Sequence, residues 1–184
     1  MPLTQLDSVA ALIVIDLQKG IVGFTAELGS ADVVSRSSKL AKAFRDRGLP
    51  VVLVNVAGRA PGRVDQAFPN RAFPPDWAEL VPELNAQFSD ILITKHRVGA
   101  FHGTDLDAKL RELGVTQVVI TGIATGSGVE STARSAYDLG YHVVFVSDAM
   151  TDMNPASHKH SIETFFPRIG EVDTTENVLK AVRG

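Results

Sequence analysis

The chain has 184 residues, of which 45% are hydrophobic and 21% charged, the length and composition of one ordinary globular domain rather than of a disordered segment. Its 18 basic and 21 acidic residues leave a net charge of -3 with no basic block, so nucleic acid is not an implied partner. It contains no cysteine, which excludes disulfides, thiolate metal sites and thiol chemistry.

In chain order, Val9–Asp16 (VAALIVID) is a continuous apolar run that reads as a fully buried strand. Its apolar part, Val9 to Ile15, is far short of the ~20 residues that a membrane span needs. Ala31–Arg47 places Val33, Val34, Leu40, Ala43 and Phe44 at helical spacing, and Gly48-Leu-Pro50 stops it. Val51–Val56 and Ile91–Lys95 are further strands. Between them Val56–Pro75 is rich in Pro and Gly, and its length fits a functional or partner-contacting loop or, equally, a tolerated surface loop. Thr104–Leu113 reads as a helix with Thr104 as N-cap. Val115–Thr121 is a fourth strand, Ser127–Leu139 a helix ended by Gly140, and His142–Ser147 a fifth strand. Pro155–Phe166 is a helix with Pro in its first turn. Glu171–Asp173 is a short last strand and Thr175–Val182 a closing helix.

Strands alternating with helices predict a mostly parallel sheet covered on both faces, an α/β three-layer sandwich of one domain spanning residues 1–184. The N-terminus has neither a charged region nor a small-residue cleavage site, so no signal peptide and a cytoplasmic location are expected. A small-molecule substrate is the expected partner, with no nucleic acid and no membrane.

Ligands of open parallel sheets bind beyond the carboxyl ends of the strands, so the strand ends are where chemistry is sought. The first strand ends in Asp16, where burial disfavours the ionised carboxylate. The third ends in Lys95. On neighbouring strand tips the two would offset each other's burial and form either a proton-transfer pair or a structural ion pair. The fourth strand runs into Thr121-Gly-Ile-Ala-Thr-Gly-Ser-Gly128 and then a helix. Its small residues permit close backbone approach, and the helix start favours an anion or a developing oxyanion; the alternative is a tight strand-to-helix turn with no ligand. Glu130 and Arg134 form an i,i+4 pair on that helix with a structural role.

Several sharper motifs fail. Gly126-Ser-Gly128 is not a nucleophile elbow, because Thr125 and Val129 stand at the required glycines. Gly126-x-Gly128-x-x-Ser131, with Asp148 about 20 residues on, imitates a dinucleotide fingerprint but lacks its third glycine and follows the wrong strand. None of the five histidines has metal-ligand spacing. His158 and His160 lie two apart on a helix, and surface or core packing is expected for each histidine. Phe24, Phe101 and Trp77 are candidates to line the pocket or to pack in the core or an interface.

Three segments taken together, Leu12–Gln18 (LIVIDLQ), Lys95–Leu106 (KHRVGAFHGTDL) and Thr121–Asp148 (TGIATGSGVESTARSAYDLGYHVVFVSD), resemble the isochorismatase-like hydrolase family. The resemblance implies a Rossmann-like, six-stranded parallel sheet and, in most members, an Asp-Lys-Cys triad whose first two positions are Asp16 and Lys95. It also implies a cis peptide between Ile123 and Ala124, and an oxyanion hole made by the amides of Ala124 and Gly128. Gln18, Ile123, Thr125 and Ser127 join Phe24 and Phe101 as candidate binding residues. Members commonly form oligomers, so a homodimer or homotetramer is expected.

The register fixed by Val129-Glu-Ser-Thr-Ala-Arg134 puts Gly128 at the position of the family's cysteine. Without that thiolate the covalent amidase route is closed. After the second strand Asn55-Val-Ala-Gly58 replaces the Asp-x-His pattern of the metal-binding branch, so neither metal nor cofactor is expected. Ser127 is one residue out of register to replace the nucleophile, and no histidine base is placed for it. True isochorismatases also lack the cysteine: an Asp acts as general acid towards an enol-ether carbon and water adds to the oxocarbenium ion. That role would fall to Asp16, with Lys95 orienting the acid or a substrate carboxylate. The alternatives are a member that binds a metabolite or partner without turnover, and a dinucleotide-binding protein.

Overall fold

β1 (Ala10–Ile15) is buried along its whole length, which identifies it as a central strand covered on both faces. The structure, a computed structural model, describes residues 3–65 and 73–184; part of the Val56–Pro75 loop thus lies outside the described residues. The remaining elements are α1 (Lys19–Phe24), α2 (Ser30–Asp46), β2 (Val51–Val56), β3 (Ile91–Lys95), α3 (Leu106–Glu112) and β4 (Gln117–Ile123). They are followed by α4 (Glu130–Asp138), β5 (His142–Thr151), α5 (Pro155–His160), β6 (Glu171–Asp173) and α6 (Thr175–Arg183).

All strands pair in parallel in the order β3-β2-β1-β4-β5-β6. The chain therefore winds outward from β1 through β2 to β3, returns to β4 beside β1, and winds outward again. Side-chain alternation divides β1 between two cores. Ala10, Leu12 and Val14 pack with Val33, Leu40 and Phe44 of α2 and with Val178 and Val182 of α6. Ala11, Ile13 and Ile15 pack with Leu106 and Leu110 of α3 and Ala133 and Ala136 of α4. A three-layer α/β/α sandwich results, with its switch point between β1 and β4, where strand order reverses and open α/β sheets bind ligands.

Several predicted boundaries move. Thr104 donates its hydroxyl to the Ala100 carbonyl (2.6 Å) and accepts from the Leu106 N–H (3.3 Å). It thus closes a turn ahead of α3 instead of capping it. The helix predicted over Ser127–Leu139 is divided into a π-helical turn, Thr125–Val129, and α4. Pro155–Phe166 is likewise divided into α5 and a second π-helical turn, Ser161–Phe165. α1 carries Gly20 and Gly23 and no apolar periodicity, and has no signal in the sequence. β5 does not end at Ser147. Pairing with β4 stops after Ile120–Phe145 and resumes at Gly122–Met150, across a bulge that carries β5 on to Thr151. Among the described residues no helix is long and apolar enough to cross a membrane.

Candidate active site

β1 delivers Asp16 to the carboxyl edge of the sheet. The chain turns there: Asp16 has φ 54°, its N–H donates to the Val54 carbonyl and its carbonyl accepts from Gln18 N–H, each at 2.9 Å. Lys95, the last residue of β3, reaches Asp16 Oδ2 with its Nζ at 2.7 Å. The two do not sit on neighbouring strand tips, because β2 lies between them. Two strand spacings, about 10 Å, are bridged by the long Lys stem. Register permits this, since Ile15 stands opposite Val54 and Val56 opposite Lys95, nearly level along the sheet.

Both side chains are almost fully buried, with exposures of 3% for Lys95 and 6% for Asp16. Burial pushes the Asp16 carboxyl up to about 6, although the charge and hydrogen bond of Lys95 pull it down. Lys95 Nζ has a second, longer contact with the Arg97 carbonyl at 3.4 Å. Asp16 Oδ1 is buried and has no hydrogen-bond partner among the described residues. Such an oxygen costs free energy unless something fills its place.

β4 brings in the third component. The Ile123–Ala124 peptide is cis, and the Ala124 carbonyl accepts from the N–H groups of Ser127 (3.1 Å) and Val129 (3.2 Å). This bends the chain so that Gly128 faces β1. A β-carbon on Gly128 would lie 3.2 Å from Asp16 Oδ2 and 3.1 Å from Ile15 Cγ2. Asp16, Lys95 and Gly128 therefore converge at the switch point, although they lie on three segments. Gly122, with φ +124°, makes the approach possible, since a β-carbon there would come 2.1 Å from the Ile15 carbonyl oxygen.

The other candidates divide. Gln18 is fully buried, and its amide is committed to the backbone. Its Nε2 donates to the carbonyls of Val56 and Trp77 (both 3.1 Å) and its Oε1 accepts from Val56 N–H (2.8 Å). It braces the site instead of facing a ligand. Phe24 is 78% exposed at the end of α1. Phe101 stacks on Tyr141, ring centres 6.0 Å apart, and joins the core beside α3 and α4. Trp77 stacks on Phe73 at 4.1 Å and lies against Gly20. Ile123 packs into the core beside α2, and Ser127 is exposed. Asn55 donates its amide to the Ala78 carbonyl at 2.7 Å. Asp148 Oδ1 accepts from the N–H (2.7 Å) and hydroxyl (2.8 Å) of Thr175 and so holds the start of α6. Glu130 and Arg134 do pair (2.8 Å), with Ser161 donating to the second Glu130 oxygen (2.6 Å).

One contact escaped the sequence reading. Thr125, fully buried, hydrogen-bonds through Oγ1 to His158 Nδ1 at 2.8 Å. His158 is thus tied to the turn and is more than a surface histidine. No local pattern could have signalled a pairing between residues 33 apart.

The Isochorismatase domain matches residues 10–177. The isochorismatase family protein YwoC of Bacillus subtilis is 42% identical over 180 residues, covering 94% of both chains. The ureidoacrylate amidohydrolase RutB of Stutzerimonas stutzeri is 31% identical over 210 residues, covering 94% of this chain and 83% of its own. Among solved structures, an isochorismatase family protein from Burkholderia thailandensis superimposes with a TM-score of 0.88 at 38% identity, covering 98% of each chain.

Proposed function

The chain belongs to the isochorismatase family, and from that premise we propose that it is a hydrolase of a small, anionic metabolite in which Asp16 is a general acid and no thiol takes part. The observation that carries this reading is the buried Asp16–Lys95 pair with Gly128 directly against it. On this reading the catalytic frame is retained, while Gly128, to which the resemblance assigns the nucleophile's position, offers no side chain. A carboxyl near 6 is poised to exchange a proton close to neutral pH.

In the proposed reaction, protonated Asp16 gives its proton to the carbon of an enol ether. The resulting oxocarbenium ion takes up water, the hemiketal expels the alcohol, and a ketone and an alcohol are the products. The water returns one proton to Asp16. Lys95 holds Asp16 in place and attracts a substrate carboxylate. The amides of Ala124 and Gly128, at the turn that opens α4, receive an anionic oxygen of the substrate.

A screen of vinyl ethers, amides and nicotinamide against the wild type and Asp16→Asn tests this. Turnover of a vinyl ether by the wild type, lost in the variant, is the expected result. Equal turnover by both proteins would remove Asp16 from the chemistry. Ligand binding without turnover of any of these would favour the second reading, a binding protein, for which the absent nucleophile at Gly128 is the supporting observation.

A further inference from the structure

The segment from the end of β5 into α5 aims a second set of polar groups at the same turn. Asp152 Oδ2 accepts from the Gly126 N–H at 2.7 Å, while its Oδ1 accepts from the Asn154 N–H at 2.9 Å and so fixes the carboxylate. Asn154 in turn caps α5, its Oδ1 accepting from the N–H groups of Ala156 (3.0 Å) and Ser157 (3.4 Å). One turn on, His158 meets the Thr125 hydroxyl. A β-carbon on Gly126 would lie 3.1 Å from Ser157 Cβ, so the turn is also seated against α5 sterically.

Thr125 and Gly126 lie between Ala124 and Gly128, the two residues whose amides are proposed to meet the substrate. We propose that Asp152 and His158 are positioning residues for those amides. They act through the turn without touching substrate, and the inference rests on the oxyanion-holding role proposed above for Ala124 and Gly128. Satisfying hydrogen bonds does not require this arrangement. A threonine hydroxyl can bond back to its own helix, as Thr132 does to the Gly128 carbonyl at 2.7 Å. Gly126 is an exposed residue, where water is an alternative partner for an N–H. Instead two consecutive residues are each held by a side chain of one capped segment, one bond being charge-assisted and about twice as strong as a neutral one. Two anchors on adjacent residues fix the middle of the turn that carries both amides, as amides aimed at an anionic oxygen require.

The natural chain has no cysteine, so Gly128→Cys introduces a unique thiol into the turn. With p-nitrophenyl acetate the thiolate attacks the ester carbonyl, an oxyanion develops, p-nitrophenolate leaves and an acetyl thioester remains. With iodoacetamide the thiolate displaces iodide and no carbonyl oxyanion forms. The ratio of the two rates therefore reads the amides and cancels the exposure and ionisation of the thiol. Adding His158→Leu or Asp152→Ala is expected to lower acylation at least tenfold and leave alkylation within twofold; complete loss of one oxyanion donor costs about 10²–10³. His158→Asn, whose amide replaces Nδ1 towards Thr125, is expected to preserve the ratio. Parallel changes in both rates, or equal losses with His158→Asn and His158→Leu, overturn the proposal. Should Gly128→Cys not fold, or fold but not react, amide hydrogen exchange over residues 121–130 in the natural background decides. His158→Leu is expected to accelerate it at least tenfold and His158→Asn to leave it unchanged, and an unchanged rate in His158→Leu overturns the proposal. Neither readout uses the natural substrate, so failure of the acid chemistry and failure of this inference are separable.

Discussion

Lys95→Met removes the ammonium of the buried pair while keeping most of its stem. In the wild type the Asp16 carboxyl lies at about 6, against an ordinary value of 3.8, because burial outweighs the pull of Lys95. A native value above the unfolded one means that the folded state binds the proton more tightly. The stabilisation this brings is fully present below pH about 4 and is lost as pH rises through about 6, a change of about 3 kcal/mol. Both contributions of Lys95 lower the Asp16 value, so removing them moves the carboxyl above 6. Each further unit then costs the variant about 1.4 kcal/mol at a pH above both values. Breaking a buried pair typically costs roughly 3–5 kcal/mol. The variant is therefore expected to match the wild type near pH 5, where Asp16 is protonated in both. It should be about 3 kcal/mol less stable at pH 8, a drop in Tm of roughly 6–12 °C for a chain of this size. Urea unfolding at pH 5, 6.5 and 8 measures this. A stability difference that does not grow with pH would refute the reasoning, because packing alone would then account for the loss.

Three other outcomes follow from the same geometry. Asp16→Asn is expected to lower turnover of an acid-labile substrate by about 10²–10⁴, and wild-type kcat/KM is expected to fall tenfold per pH unit above about 6; a flat pH profile would argue against a protonated carboxyl in the rate-limiting step. Gly128→Cys, whose β-carbon contacts of 3.1–3.2 Å require only a small shift, is expected to gain iodoacetamide reactivity well above that of free cysteine beside Lys95; a folded but inert variant would mean that the position is sealed from solvent. Gln18→Leu strips Val56 and Trp77 of three hydrogen bonds and is expected to cost about 2–4 kcal/mol in a denaturant titration, whereas near-neutral stability would show that water replaces the amide.

Legibility in the sequence followed the range of the interactions. β1 and β2 declared themselves because central parallel strands are apolar on both faces. Asp16 and Lys95 stood out because a charge closing an apolar run needs a reason. Gly128 was read through its place in a longer pattern. What the chain order hid was spatial. Lys95 reaches Asp16 past β2, and no local pattern encodes the order β3-β2-β1. The extension of β5 to Thr151 follows a bulge set by tertiary pairing, so Asp152 could not be placed beside Gly126 from spacing alone. Phe24 and Phe101 follow the right strand ends, yet one points to solvent and the other into the core, because proximity in the chain does not set side-chain direction.

Gly128 and the Asp16–Lys95 pair bear on each other. A buried Asp–Lys pair is weak evidence for stability, since apolar replacements of similar volume are often as stable. On the proposed reading, the reason for its place beside Gly128 is chemical. Asp16 Oδ2 is engaged by Lys95, whereas Oδ1 has no partner among the described residues; on the proposed reading one oxygen is neutralised and the other exchanges the proton. A thiol at residue 128 would stand against Oδ2, with its β-carbon 3.2 Å away, and on the proposed reading would crowd the carboxyl group that a substrate carbon has to meet. On the proposed reading, glycine there supplies the room that acid catalysis requires. The distinction is experimental: if substrate needs that room, Gly128→Ala, which adds one methyl group and no chemistry, should raise KM or abolish turnover of the natural substrate while leaving the fold intact, and an Ala variant as active as the wild type would mean that the missing side chain is irrelevant to the reaction.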